Sequence, residues 1–294
     1  MMSNTPLTLI NPQNGHLALR LFSFEDNSFF DHIQRLNYYT VILLTKGKVT
    51  VKADFKDYTI DTPSLFCFSP YQPFMFSTTE KIEGVVINFH PDFFCIHRHQ
   101  KEVACNGVLF NNIYDPPFLK IAQNDIKQFT DIYEQMRTEM QLAALAQYEL
   151  LVSYLKIFLI NASRLKMNEL PESTVVTETR EPFILQTLKD AIESNYKSIH
   201  APADYASLLN ISPKALGKIT KTHFNKTLTE LISERIIIEA KRELYLTSKA
   251  VKSIAYELGF DDEYYFSRFF KKNADVSPQL YRDTVGFAKA EAEA

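Results

Sequence analysis

The feature that most constrains this chain is a piece of local grammar written twice in its last third. In "ADYASLLNISPKALGKITKTHF" (203–224), an apolar helical pattern stops at Asn210, a residue that tolerates left-handed backbone. Ile211 follows as a packing residue. Ser212 stands where a helix N-cap accepts backbone N–H bonds, and Pro213 takes the first helical position. One short helix ends, the chain turns, and a second helix begins. The grammar returns in "VKSIAYELGFDDEYYFSRFFKK" (251–272). Val251, Ile254, Ala255 and Leu258 share one helical face. Gly259 can close that helix at positive φ, Phe260 packs, and Asp261 or Asp262 caps the next. Each copy is a helix-turn-helix, and Lys218 and Arg268 lie 50 residues apart in equivalent places.

The second helix of the later copy carries both a heavy aromatic load and a serine–arginine step. Tyr265, Phe266, Phe269 and Phe270 can seat it on its domain. Glu263, Tyr264, Ser267, Arg268 and Lys271 then fall on the other side. A helix presented to a DNA major groove needs this division, apolar behind and hydrogen-bonding in front. In the earlier copy Lys214, Gly217, Lys218 and Lys221 occupy the analogous face, beside Ser212 and Ala215. Gly217 lowers helix propensity but lets a partner approach the backbone closely. One such helix reads equally well as an amphipathic helix with a solvated charged face. Two copies with matching caps, turns and basic positions favour the DNA reading. Between them, 227–246 reads as a long helix with Ile236, Ala240 and Leu244 on one face. It would hold the two recognition helices for successive major grooves, roughly 34 Å apart.

Residues 185–285 resemble the DNA-binding domain of the AraC/XylS family of bacterial transcription regulators. The resemblance rests on "ISPKALGKITK", on "RIIIEAKREL" with Arg235 and Ala240, on "SIAYELGFDDEYYFSRFFKK" and on "VSPQLYR". The chain departs from the family pattern at Asn225 and Asp275, where Gly is usual, and at Lys218, Thr220 and Tyr264. The resemblance implies double-stranded DNA and RNA polymerase as partners, activation more often than repression, and a homodimer. It also implies a cupin-like N-terminal domain that senses a small-molecule effector or mediates dimerisation.

The residues of the N-terminal half agree with a β-rich domain. "YYTVILLTKGKVTVKADF" (38–55) is two strand-like runs around Gly47, a hairpin signal. "YTIDTPSLFCFSP" and "KIEGVVINFH" add further short strands, the pattern of a small barrel or sandwich. Tyr39, Phe66, Phe68, Phe74 and Phe76 either line an effector pocket or fill the core. From 121 to 165 the pattern turns helical. Leu145, Tyr148, Val152, Leu155 and Leu159 make a heptad-like seam, with Leu151, Tyr154 and Phe158 as a second stripe. The seam predicts dimerisation, against the plainer reading of an intrachain helix pair. "KMNELPESTVVTETRE" (166–181) lacks periodicity and reads as a linker.

The expected architecture is α+β. A cupin-like β-barrel sensor domain occupies 1–120, followed by a helical dimerisation segment at 121–165 and the linker at 166–181. An all-α tandem helix-turn-helix domain fills 182–285, and 286–294 is a tail.

Charge and composition exclude other classes. Net charge is −3, and residues 181–285 hold 15 Lys and Arg against 14 Asp and Glu. No global basic field advertises nucleic acid, so any basic face must be locally arranged. Metal cupins use several barrel histidines, yet no His stands between His32 and His90. "HPDFFCIHRH" (90–99), with Cys95, His97, His99 and nearby Cys105, has ligand chemistry but no zinc spacing. No nucleophile triad, P-loop or GxGxxG is present, so the expectation is a non-enzyme without cofactor or metal. The rival reading is a ligand-binding or scaffold protein whose helix-turn-helix units touch only proteins. Three irregularly spaced cysteines suit a reducing compartment. The start lacks a signal-peptide pattern, and "LLVSYLKIFLI" is too short to span a bilayer and contains Lys156. Together these predict a cytoplasmic protein without membrane contact.

Overall fold

The computed structural model describes residues 5–11, 15, 17–53, 56–61, 63–96, 108–142, 144–169 and 183–285. The chain divides into two compact units, Met1–Asn112 with Pro116–Pro171, and Ile113–Asp115 with Glu172–Ala294.

The first unit begins with strands β1 (Leu7–Ile10), β2 (Leu17–Phe24), β3 (Tyr39–Lys46), β4 (Lys48–Ala53) and β5 (Lys56–Asp61). β6 (Ser64–Phe68), β7 (Phe74–Ser77), β8 (Glu83–Phe89) and β9 (Phe118–Lys120) follow. They pair antiparallel into a six-stranded sheet, ordered β1-β2-β8-β3-β6-β9, and a three-stranded sheet, ordered β5-β4-β7. Among the described residues neither sheet closes on itself, so these pairings make two open sheets where a closed barrel was expected.

The apolar runs explain the layering. In β3, Ile42 and Leu44 join the core that also holds Val49, Val51, Ile60, Phe74 and Phe76 of the smaller sheet. Val41 and Leu43, on the opposite face of β3, join a second core with the helices. A strand buried on both faces has no polar face to show, hence its near-continuous run of apolar residues. A buried polar cross-strand pair satisfies itself: Asn88 Nδ2 donates to Thr40 Oγ1 at 2.9 Å.

The expected hairpin at Gly47 is not formed. β3 pairs with β6 and β8, whereas β4 pairs with β5 and β7. The chain therefore changes sheets at Gly47. Its φ is +90°, and a Cβ there would sit 2.4 Å from the Lys81 carbonyl oxygen. A turn this tight permits only glycine, and the bend carries the next strand into the other layer.

The candidate effector-lining aromatics fill the core. Phe68 stacks on Phe74 with centroids 4.0 Å apart, and Phe66 meets Phe76 at 5.1 Å. Tyr39 belongs to the other core, 5.1 Å from Phe89.

Helices α1 (Gln123–Gln141) and α2 (Gln147–Glu169) cover the outer face of the larger sheet. Phe129 of α1 meets Phe158 of α2 at 4.8 Å. The expected dimer seam does not face outward. Leu155 and Leu159 are wholly buried within the chain, and Tyr148 and Val152 pack against the same core. Leu145 precedes the helix and is fully exposed. These residues are occupied by the chain's own sheet because the helix turns its densest apolar stripe inward. Leu150 and Ile157 stay exposed instead, with half-buried Tyr154 between them. α2 also runs through 166–169, the first part of the expected linker. Lys166 is buried there, its ammonium donating to the Phe118 carbonyl at 2.6 Å. Residues 170–181 and the tail at 286–294 lie outside the described residues.

The second unit is helical: α3 (Phe183–Asn195), α4 (Pro202–Leu208), α5 (Pro213–Phe224), α6 (Leu228–Leu246), α7 (Val251–Glu257), α8 (Glu263–Ala274) and α9 (Pro278–Val285). Among the described residues no helix is long and apolar enough to cross a membrane.

Candidate nucleic-acid interface

The two turns are built as the sequence grammar requires. α4 ends with Asn210 at φ 54°, and α7 with Gly259 at φ 79°. In each, a backbone N–H reaches back five residues: Ile211 to the Ala206 carbonyl and Phe260 to Ala255, both at 3.0 Å. Ser212 Oγ accepts from the Ala215 N–H at 3.2 Å. Asp262 accepts from Tyr264 and Tyr265 N–H at 2.9 and 3.1 Å, which makes it, not Asp261, the cap. Such caps are worth about 1 kcal/mol each. Asn225 and Asp275 end α5 and α8 at φ 50° and 62°, supplying the left-handed turn without glycine. Gly259 is less replaceable: a Cβ there would lie 2.3 Å from the Lys197 carbonyl oxygen.

Each recognition helix is anchored by one face. α5 buries Leu216, Thr220 and Phe224, and α8 buries Phe266, Phe270 and Ala274. Phe260 meets Phe266 at 5.2 Å and Phe269 at 5.1 Å, so the turn and the helix share one aromatic cluster. Thr220 satisfies its buried hydroxyl on the Gly217 carbonyl at 3.1 Å. α6 begins with a capping box between Thr227 and Glu230, and buries Ile236, Ala240 and Leu244.

The opposite faces are open. Ser212, Lys214, Ala215, Gly217, Lys218 and Lys221 are exposed in the first copy. In the second, Tyr264, Arg268 and Lys271 are exposed, and Glu263 and Ser267 are half-buried. Tyr265 departs from expectation. It does not lie on the anchoring face: it is 56% exposed and meets Phe260 at a centroid distance of 5.8 Å. Helical geometry held the signal: at about 100° per residue, position 265 lies about 140° from Phe270 around the axis.

The distribution of charge decides what these faces can do. Elsewhere in the unit several cations are neutralised. Arg235 bonds Glu193 at 2.8 Å, Arg242 bonds Glu239 at 2.8 Å, and Lys249 reaches Glu243 and Glu257 at 3.0 and 2.6 Å. Arg235 also lies over the Tyr196 ring at 3.9 Å. Burial would raise the Glu239 carboxyl, but Arg242, Arg235 and Lys197 beside it outweigh burial and hold it below the ordinary carboxylate range. By contrast, among the described residues Lys214, Lys218, Lys221, Arg268 and Lys271 form no ion pair. The unit is nearly neutral in sum, yet five cations without an ion pair stand on the two outward faces. Such a surface attracts polyanions.

Among the described residues, no group of three or more His, Cys, Asp or Glu could hold a metal. His97, His99 and Cys105 lie outside the described residues.

Residues 205–284 match the model of a helix-turn-helix domain. The chain is 32% identical over 95 residues to the raffinose operon transcriptional regulatory protein RafR of Pediococcus pentosaceus, 32% of this chain and 34% of that protein. It is 28% identical over 114 residues to the arabinose operon regulatory protein of Salmonella typhimurium, 37% of this chain and 40% of the relative. It is 27% identical over 172 residues to the transcriptional activator RhaS of Citrobacter koseri, 57% of this chain and 58% of the relative. The chain thus spans roughly a third to three fifths of the length of these curated relatives. They are transcription regulators, a non-enzymatic class. A crystal structure of ToxT from Vibrio cholerae aligns loosely, with TM-score 0.41 and 18% identity over 91% of this chain and 97% of that one.

Proposed function

Because its C-terminal unit is an AraC-type helix-turn-helix domain, we propose that this chain is a sequence-specific DNA-binding transcription regulator. The observation that carries the reading is the pair of outward faces on α5 and α8, where unpaired cations sit on helices anchored from behind. The activator sense has its support in RhaS, a relative named as an activator. RNA polymerase is then the second macromolecular partner.

The N-terminal unit supplies dimerisation in this reading. Its support is the ridge of exposed Leu150 and Ile157 with half-buried Tyr154 between them on α2, spaced 4 and 3 apart as in a helix–helix seam. A small-molecule effector, if the N-terminal unit senses one, does not enter by the Phe66–Phe76 cluster, which is closed by its own side chains.

Selection of binding sites from random duplex DNA with the full chain tests the reading. The expected product is an enriched sequence motif, read from base edges in the major groove. Lack of enrichment across salt concentrations would sink it. Light scattering tests the dimer: Ile157→Asp should halve the mass, and a monomeric parent chain would rule the ridge out.

A further inference from the structure

We propose that the two helix-turn-helix copies divide the work: α5 is a sequence-indifferent phosphate clamp, and α8 is the base reader. The inference rests on the regulator reading above and says how its surface is used.

The structure fixes which positions correspond. Caps Ser212 and Asp262, buried Leu216 and Phe266, buried Thr220 and Phe270, and left-handed Asn225 and Asp275 are each 50 residues apart. In that register Lys214 stands where Tyr264 does, Ala215 where Tyr265 does, Gly217 where Ser267 does, and Lys218 where Arg268 does. Lys221 and Lys271 also correspond.

The α5 face therefore carries three ammonium groups, a methyl and a bare Cα. Apart from Ser212, whose Oγ already accepts from the Ala215 N–H, it has donors and no acceptor. An ammonium on a flexible stem is a rotating point charge. It meets phosphate oxygens, guanine O6, thymine O4 and adenine N7 alike. The one hydroxyl at its edge, Ser212 Oγ, is occupied as the helix cap, so the three lysines and Gly217 leave no long side chain to accept from the amino group of cytosine or adenine. The α8 face holds one of each kind of reader. Glu263 accepts, Arg268 offers a rigid donor fork, and Ser267 does both. Tyr264 and Tyr265 present rings 74% and 56% exposed, apolar surface of the kind that meets a thymine methyl.

Gly217 adds an independent observation. Its φ is not positive, and a Cβ there would meet nothing within 4 Å. The fold gives no reason for glycine in the interior of α5, where it costs stability relative to alanine. A surface on which the helix backbone lies directly against another molecule does give a reason. A backbone held that close to a strand suits a clamp on sugar and phosphate.

The test measures affinity of the full chain for a library of duplexes across a salt series. Four variants are compared: the triple Lys214→Gln, Lys218→Gln, Lys221→Gln; Gly217→Ala; Tyr264→Ala; and Arg268→Ala. The triple variant should weaken all sequences alike, keep the motif, and flatten the salt slope by about 2.7, or about 0.9 per phosphate. Gly217→Ala should also weaken all sequences alike while raising the unfolding midpoint. Tyr264→Ala and Arg268→Ala should each abolish preference at one base pair, a change of about ten-fold or more. Loss of base preference at any position of the motif by the triple variant overturns the division. Uniform weakening by both Tyr264→Ala and Arg268→Ala overturns it too. If the parent chain binds no duplex even near about 50 mM salt, the regulator reading itself fails, and this inference with it.

Discussion

Phenylalanine and tyrosine build both units, but they are used in opposite ways. In the N-terminal unit the aromatics close on one another. Phe66, Phe68, Phe74 and Phe76 are all buried, in stacked and tilted contacts between the sheets. In α8 the aromatics split. Phe266 and Phe270 are buried, whereas Tyr264 and Tyr265 stand in the open. The difference lies in what is interleaved. The strand "LFCF" alternates apolar with apolar, so both faces demand burial. The helix "EYYFSRFFKK" interrupts its rings with Glu263, Ser267 and Arg268, so only one face can be buried. Aromatic content by itself says nothing about function; aromatic exposure beside unpaired charge does.

Substitutions can break or sharpen this contrast. The largest losses should come from the closed clusters. Phe66→Ala and Phe270→Ala should each cost about 3–5 kcal/mol, read by denaturant unfolding. A cost under about 1 kcal/mol at Phe66 would mean the cluster tolerates a void and has room for a ligand after all. Leu155→Asp belongs with these: it should unfold the N-terminal unit rather than merely separate two copies, because Leu155 is fully buried. Gly259→Ala should cost about 1–2 kcal/mol or more, since positive φ and the Lys197 carbonyl oppose a Cβ together. Removal of the Ser212 cap by Ser212→Ala should cost about 1 kcal/mol in thermal unfolding. The smallest effect should be Tyr264→Ala, within about 0.5 kcal/mol on stability. A large loss there would move Tyr264 from the reading face to the core and erase the contrast.

The parts of the fold that sequence reasoning reached are those decided within a few residues. Asn210, Ser212, Gly259, Asn225 and Asp275 do in the structure what their local chemistry demands. Caps and left-handed turns depend on near neighbours only, so a linear reading suffices. Two of the misses depend on distant partners. The runs flanking Gly47 look like a hairpin until the competing strands, β8 and β5, are known. The α2 seam looks like a dimer face until a sheet is found to lie against it. Tyr265 is a miss of another kind, since helical angle alone places it outward. The open faces of α5 and α8 were legible because two copies of one pattern constrain each other.

The strand order of the N-terminal unit sets a timetable for its birth. β2 lies between β1 and β8, and Leu19 pairs with Phe89. β6 must wait for β9, with Phe66 opposite Phe118. On a ribosome, the larger sheet cannot be completed until the chain has grown past residue 120. Until then its strands have apolar faces and unfilled edges. The C-terminal unit packs most consecutive helices together, with α3 and α9 also reaching α6, and local helix contacts close fast. The half built last is therefore the half that folds without waiting, and the half built first is the one that waits.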